Sequence, residues 1–362
     1  MTAVAGVEEL IGRKQVVICA GSGGVGKTTT SAAIAAGMAD RGKKAAVLTI
    51  DPARRLANSL GLSELGNEEA RVELPGASGE LWAMMLDAKR TFDELIDTYA
   101  PDEETRDSVL ANPIYKQLSN AVAGSQEYMA MEKLHELHQE GRYDLLVLDT
   151  PPSRNALDFL EAPRRLSRFI DSRSLRFFQS SSRMSLGLMG KGTGVLFSIM
   201  KRATGVDLLR DLSAFFNAFG SMTDGFSERA RHVEALLGDS RTTFLLVTSP
   251  REASIREAEW FAKRLREEDL PFGGVVVNRV RREIGTSPSP QLDTELTGLL
   301  GDKLGAKVSR TLGEQVALAE VDAHNLEDLT RRLGRKPTLA VPELASDVHD
   351  LDGLRALNDH LF

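Results

Sequence analysis

One stretch decides the fold of this chain: Gly21-Ser22-Gly23-Gly24-Val25-Gly26-Lys27-Thr28-Thr29, directly after the apolar run 16–20. It matches the pattern G-x-x-x-x-G-K-[ST] of a phosphate-binding loop. The glycines allow a backbone turn so tight that N–H groups point at phosphate oxygens. Lys27 would neutralise the terminal phosphates, and the Thr28 hydroxyl would hold Mg²⁺. The stretch therefore predicts a nucleotide-phosphate site that follows a buried strand.

The same stretch also fits the dinucleotide-binding pattern G-x-G-x-x-G, and Asp51 ends the next strand-like run, where a ribose-binding acid would lie. Two features favour a P-loop NTPase. A hydride-transferring enzyme has no use for Lys27 and Thr28 at the start of the following helix, and a second phosphate-site motif occurs at Asp149. A Rossmann dehydrogenase is the alternative.

The bulk composition excludes several classes of protein. The chain has 362 residues, 42% of them apolar, and one cysteine, Cys19, so an intrachain disulfide is excluded. It has no apolar run of about 18 residues that would cross a membrane. Its first residues lack the basic start and apolar run of a signal peptide. We therefore expect a cytoplasmic protein, and the net charge of −7 argues against nucleic-acid binding.

The apolar pattern predicts a doubly wound α/β fold with a mostly parallel sheet, because its strand-like runs are continuously apolar and alternate with helical patterns. The predicted strands are Gln15–Ala20, Ala45–Ile50, Leu81–Leu86, Asp144–Asp149, Thr243–Thr248, Gly274–Asn278 and Thr338–Val341. Two connections are too long for simple crossovers. We expect a helical subdomain, built from residues 88–142 and 163–240, inserted in a single P-loop domain that spans 1–362.

Three polar residues lie at the ends of predicted strands. Asp149 would hold Mg²⁺ together with Thr28, or else would cap the next helix. Asp51 would orient or deprotonate the attacking water and is also a candidate Mg²⁺ ligand; its alternative role is again a helix cap. The amide of Asn278 could read the adenine edge through its paired donor and acceptor groups.

Taken together, the loop, the segment Asp51-Pro52-Ala53, the acidic motif at 149–152 and the pair Val277-Asn278 resemble the anion-transporting ATPases. That family includes the arsenical-pump ATPase and the ATPase that targets tail-anchored proteins, and the resemblance is nearest to its actinobacterial branch. It implies a deviant P-loop, ATP and Mg²⁺ as ligands, and a dimer that encloses two nucleotides. By this resemblance Asp51 belongs to the first switch, residues 149–163 form the second switch, and Asn278 and Pro342 contact adenine.

The chain departs from the family pattern at Ser22, where the deviant loop carries a signature lysine that reaches the partner's phosphates. One hypothesis is a heterodimer with a paralogous ATPase that carries this lysine. The other is a homodimer in which Arg54, Arg55 or Arg154 replaces it. The chain also lacks the Cys-x-x-Cys zinc motif and the cysteines needed to bind arsenic.

The segment 169–222 is rich in Met and Phe, and residues 163–210 are strongly basic. These features suit either an apolar groove that accepts a hydrophobic protein client or makes peripheral contact with an acidic membrane surface, or an ordinary helical core with a solvated basic face. The sequence thus predicts a Mg²⁺-dependent ATPase that acts as a dimeric switch for a protein partner or client. The alternative is a nucleotide-binding regulatory subunit with weak hydrolysis of its own.

Overall fold

The computed structural model describes residues 6–51, 54–116, 125–150, 162, 214–215, 217–285, 289–334 and 336–362. Its strands are β1 (Val16–Ala20), β2 (Lys44–Thr49), β3 (Ala70–Val72), β4 (Glu80–Met85), β5 (Leu145–Asp149), β6 (Thr242–Thr248), β7 (Phe272–Val280) and β8 (Thr338–Pro342). They form one eight-stranded sheet in the order β3-β4-β2-β5-β1-β6-β7-β8.

One or more helices precede β1, follow β8 and connect every pair of successive strands except β3 and β4. They are α1 (Val7–Ile11), α2 (Lys27–Asp40), α3 (Arg55–Ser59), α4 (Ala88–Tyr99), α5 (Glu103–Ala111), α6 (Ser125–Glu140), α7 (Thr223–Gly238), α8 (Glu252–Glu267), α9 (Pro290–Leu300), α10 (Asp302–Arg332) and α11 (Leu351–Leu361).

The sheet confirms the predicted fold class, because every neighbouring pair of strands except one is parallel. All seven predicted strands are present, with ends displaced by at most two residues. The sequence did not predict β3, which pairs antiparallel with β4 at the sheet edge. With three residues and a central exposed arginine, β3 has no apolar run by which to recognise it.

Both faces of the sheet are covered, which explains why its strands are apolar without alternation. Val16 and Ile18 point to the face packed by α6, α7 and α8. Val17 and Cys19 point to the opposite face, packed by α2 and α11. Cys19 is fully buried there, as expected for a small core residue.

The helices predicted for a subdomain pack on one another through aromatic rings. Phe226 of α7 contacts Phe92 and Tyr99 of α4, at ring-centroid distances of 5.9 and 5.5 Å. The same rings belong to a cluster continuous with one face of the sheet. The limits 88–142 and 163–240 of the inserted subdomain stay a prediction, since residues 163–213 lie outside the described residues.

Only the end of the segment 169–222 is described, and there Phe215, Phe219 and Met222 are buried in the core. The rest of the hypothesised client groove lies outside the described residues. None of the described helices is both long enough and apolar enough to cross a bilayer.

Candidate functional site

Three neighbouring strands bring the chemistry-bearing residues to one edge of the sheet. β1 lies between β5 and β6, and β2 pairs with β5 on its other side. Cys19 is in register with Asp149, and Asp149 is in register with Thr49. The loop that follows β1, the end of β5 and the residues after β2 therefore meet at the carboxyl ends of the strands, where open α/β sheets bind ligands.

The phosphate-binding loop needs glycine at positions that the structure identifies. Gly21, Gly24 and Gly26 have φ values of 152°, 78° and 95°. A Cβ at Gly21 would overlap the carbonyl oxygen of Val247, and one at Gly26 would overlap the side-chain nitrogen of Asn278. Close packing from β6 and β7 thus restricts the loop in addition to its own dihedral angles.

The first backbone N–H groups of α2 lie directly after the loop and can donate hydrogen bonds to an anion there. Gly26 is the N-cap, and no side chain caps this helix. The first N–H groups of a helix lack internal partners, and the helix dipole makes this end positive. Together these features form an anion site of the kind predicted from the sequence.

Lys27 is 6% exposed, and its Nζ donates a hydrogen bond to the carbonyl oxygen of Ser22 at 2.8 Å. Burial lowers the pKa of Lys27, and the nearby carboxylates of Asp149 and Asp51 oppose this effect. An ammonium group held against its own loop in a partly desolvated site is well placed to pair with a phosphate.

Asp149 is 1% exposed and accepts hydrogen bonds at Oδ2 from Thr28 Oγ1 (2.7 Å) and Thr49 Oγ1 (2.9 Å). Its other oxygen, Oδ1, is buried and has no hydrogen-bond partner among the described residues. Burial raises the pKa of Asp149 to about 6. A buried carboxylate with a free oxygen beside a threonine hydroxyl suits Mg²⁺, a hard cation that prefers oxygen ligands.

Asp51 lies near this group and is paired with a cation. Its carboxylate is 3.3 Å from Nη1 of Arg55, and its backbone N–H donates to Thr49 Oγ1 at 3.2 Å. Thr49 therefore bonds to both Asp149 and the segment that carries Asp51. Of the arginines proposed to replace the signature lysine, Arg55 borders the site, while Arg154 lies outside the described residues.

Two adjoining cavities open above the loop. The first has a volume of about 400 Å³ and is lined by Lys27, Thr28 and Asp51, among others. The second, of about 510 Å³, is lined by Asn278 and by the segment 342–349 that begins at Pro342. Their shared walls suit one elongated ligand with a charged end over the loop and a larger group beyond it.

Asn278 does not have a free amide in this arrangement. Its Nδ2 donates to the carbonyl oxygen of Val25 at 3.0 Å, and its Oδ1 accepts from the N–H of Arg279 at 2.9 Å. It therefore borders the second cavity while bracing the loop. The adenine role of Asn278 and Pro342 stays a prediction that only their position supports.

Comparison with known protein families gives a match that includes the phosphate-binding loop. The model of the family described as "Anion-transporting ATPase" matches residues 14–293. The chain belongs to this family. Its membership confirms the resemblance predicted from the sequence and supports an ATP hydrolase activity, and it excludes the Rossmann alternative.

Curated relatives in the anion-transporting ATPase family have low sequence identity to this chain, but the similarity extends over most of its length. The protein named ATPase GET3 of Malassezia globosa is 27% identical over 265 residues, which cover 73% of this chain and 72% of that protein. ATPase ASNA1 homolog 1 of Paramecium tetraurelia is 25% identical, over 73% of this chain and 74% of its own length. ATPase ARSA2 of Chlamydomonas reinhardtii is 27% identical, with coverages of 73% and 67%.

The geometry also shows site residues that sequence reasoning missed. Thr49 lies inside an apolar run, and nothing in its local sequence marks it as a partner of Asp149. Arg279 lines both cavities and follows the predicted residue Asn278 directly. Among the described residues, no group of three or more His, Cys, Asp or Glu could hold a metal ion. A metal here would therefore depend on Asp149, Thr28 and the substrate's own oxygens.

Proposed function

We propose that this member of the family is a Mg²⁺-dependent ATPase whose active site is the loop 21–29 together with Asp51 and Asp149. ATP lies with its phosphates in the first cavity and its base in the second. Lys27 and the N–H groups at the start of α2 hold the β- and γ-phosphates. Water attacks the γ-phosphorus directly as its bond to the β–γ bridging oxygen breaks and ADP leaves, and the loop stabilises the charge that develops on the equatorial oxygens.

The observation that carries this proposal is the environment of Asp149. A carboxylate that is 1% exposed, with one oxygen bonded by two threonine hydroxyls and the other unpaired, is costly unless a cation joins it. Thr28 and Asp149 would hold Mg²⁺, which neutralises phosphate charge when bound. Because Thr28 is also the last residue of the loop motif, the cation site and the phosphate site coincide.

Asp51 is the candidate that positions the attacking water. Its side chain is 13% exposed and lines the first cavity, which would hold the phosphates and is called the phosphate cavity below. Its ion pair with Arg55 holds the carboxylate in place and keeps a cation near the phosphates. Asp51 would accept a hydrogen bond from the attacking water while its ion pair with Arg55 keeps the carboxylate oriented.

We infer that the ATPase acts as a dimeric switch for a partner or client. The dimer is inferred from the family and from Ser22, which occupies the position where the family's deviant loop carries a signature lysine for the partner's phosphates. A hydrophobic client or protein partner is inferred from the composition of 169–222. The dimer would be either a homodimer or a heterodimer with a paralogue that carries the signature lysine.

The test is ATP hydrolysis by the full chain with and without Mg²⁺. Asp149→Asn and Lys27→Ala should each lower kcat/KM by at least 100-fold, because each removes a charge that acts on the phosphates. Asp51→Asn should lower kcat while leaving Mg-ATP affinity within about threefold. Asp239→Asn is the matched control, because Asp239 is a carboxylate paired with Arg241 at the opposite end of the sheet. Full activity in the Asp149 variant would refute the proposed cation site.

A regulatory subunit with weak hydrolysis is the second candidate, and the Asp51–Arg55 ion pair favours it. A carboxylate already paired with a cation is a poorer acceptor for water than a free one. Turnover should be measured for the chain alone and for the chain co-expressed with its host's nearest paralogue. Tight nucleotide binding without turnover in both samples would support the regulatory role over the enzymatic one.

A further inference from the structure

Arg279 has an unusual backbone conformation at the end of β7. Its φ is 62°, in the left-handed region that residues with a Cβ rarely occupy. The register between β7 and β8 shifts between Val277 and Val280, so Arg279 lies in a bulge. Bulges beside active sites commonly redirect a side chain, and a strained non-glycine residue needs surroundings that hold it in place.

The surroundings that hold Arg279 also hold the phosphate-binding loop. The backbone N–H of Arg279 donates to Oδ1 of Asn278, and Nδ2 of the same Asn278 side chain donates to the carbonyl oxygen of Val25. The guanidinium Nη1 donates to Gly24 O at 3.2 Å. The bulge therefore turns this side chain out of the sheet and across the loop.

Charge distinguishes Arg279 from the other cations of the site. Lys27, Arg55 and Arg279 line the phosphate cavity. Arg55 is paired with Asp51, and Lys27 is largely buried below the cavity. Among the described residues, no carboxylate lies within 4.0 Å of the Arg279 guanidinium. Its partner is a neutral carbonyl oxygen, which a more strongly charged acceptor would displace.

The position of Arg279 indicates which part of a nucleotide it would reach. Arg279, Gly26 and Thr29 line both the phosphate cavity and the cavity beyond it. In the proposed nucleotide site, this junction would lie between the terminal phosphates at Lys27 and the base. A guanidinium there would face the α- and β-phosphates, and its fork of N–H donors suits two phosphate oxygens.

We propose that Arg279 leaves the Gly24 carbonyl when a nucleotide binds and pairs with its α- and β-phosphates, supplying from within the same chain the charge that binds ADP and ATP alike. This inference rests on the proposed nucleotide site. Because these phosphates are present in both substrate and product, the contact contributes to ground-state affinity more than to the chemical step.

Arg279→Asn tests the proposal, because asparagine tolerates the left-handed conformation while the charge, the fork of donors and the bond to Gly24 O are removed. Binding of Mg-ADP, Mg-ATP and adenosine to the full chain is measured by calorimetry. A charge-assisted contact predicts about 10- to 100-fold weaker binding of both nucleotides, with adenosine unchanged. KM for ATP should rise by a similar factor, while kcat falls by less than about threefold. Arg279→Lys should recover part of the loss, because a single ammonium replaces the fork.

Arg282→Asn is the matched control. Arg282 is an exposed arginine in the same segment whose guanidinium lies 3.2 Å from His360 and lines neither cavity. The Arg282→Asn variant should bind both nucleotides with the affinity of the wild type. Suppose that the wild type binds and hydrolyses ATP, and that the ADP dissociation constant of Arg279→Asn lies within twofold of the wild-type value. The inference is then wrong and the proposed function stands. An equal loss for adenosine would show a structural role and also overturn it. If the wild type binds neither nucleotide, both proposals fail.

Discussion

The contact between Gly26 and Asn278 gives the sharpest test of how the phosphate-binding loop is held. Gly26 has φ of 95°, so alanine there carries backbone strain of about 1–2 kcal/mol. Its new Cβ would also overlap Asn278 Nδ2 and displace the amide. The amide makes two hydrogen bonds, to Val25 O and from the N–H of Arg279, worth about 1 kcal/mol each. Gly26→Ala should therefore lower the free energy of unfolding by about 3–4 kcal/mol.

A double-mutant cycle separates the two contributions. Asn278→Ala alone should cost about 2 kcal/mol for its two hydrogen bonds. In that background the overlap no longer exists, so adding Gly26→Ala should cost only the strain. The double variant should then resemble Gly26→Ala, with a coupling energy of about 2 kcal/mol. The free energies come from urea unfolding of the nucleotide-free chain, followed by circular dichroism.

Gly24→Ala is the control for strain without overlap. Gly24 has φ of 78°, and a Cβ there would meet no atom within 4 Å. Its cost should be about 1–2 kcal/mol and should add to that of Asn278→Ala. If the effects of Gly26→Ala and Asn278→Ala also add to within about 0.5 kcal/mol, Asn278 does not brace the loop and the reasoning is refuted.

Three further predictions concern buried groups. Burial raises the pKa of the Cys19 thiol to about 12, so the native protein should not react with a thiol reagent at pH 8. The same thiol should react at once when the chain is unfolded in 6 M guanidinium. Fast labelling of the native protein would contradict the buried position. Burial lowers the pKa of His135 to about 4, so an unfolded chain binds its proton first and stability falls as pH drops below about 6.5. Between pH 7.5 and 5, protonation of His135 should lower the free energy of unfolding by on the order of 1 kcal/mol after allowance for solvent screening. Midpoints of urea unfolding at the two pH values should show that the His135→Gln variant lacks this loss. Glu132 is 1% exposed and pairs with Arg229, so Arg229→Met should lower the free energy of unfolding by about 3 kcal/mol, measured by thermal or urea unfolding. Adding Glu132→Leu to this variant should restore most of the loss. Equal stability of the single and the double variant would argue against a buried pair.

Much of the site could be predicted because its chemistry is encoded in short stretches. Lys27 and Thr28 belong to a motif of fixed spacing, and Asp51 and Asp149 end apolar runs that had to be buried strands. Parallel strands end at the same edge, so these residues were expected to lie together. The bond between Thr28 and Asp149, 121 positions apart, confirms that they do.

Other residues could not be found in this way. Thr49 is one polar residue in an apolar strand, and its contact with Asp149 exists because β2 and β5 are neighbours in a particular register. Arg279 reads as an ordinary exposed arginine, and its place over the loop depends on a bulge and a left-handed φ. The strand β3 is too short and too polar to be recognised, and pairing with β4 defines it.

The sequence by itself determined what depends on neighbouring residues: the turn of the glycine loop, the helix that follows it, and the burial of strands that are apolar throughout. Local stereochemistry and hydrophobicity suffice for these, since each acts within a few residues. Only the tertiary structure decided that β1 lies between β5 and β6, that Thr49 shares a partner with Thr28, and that Asn278 braces the loop from 253 residues away. The physical reason is that strand order and register are fixed by packing both faces of the sheet at once, which no single segment encodes.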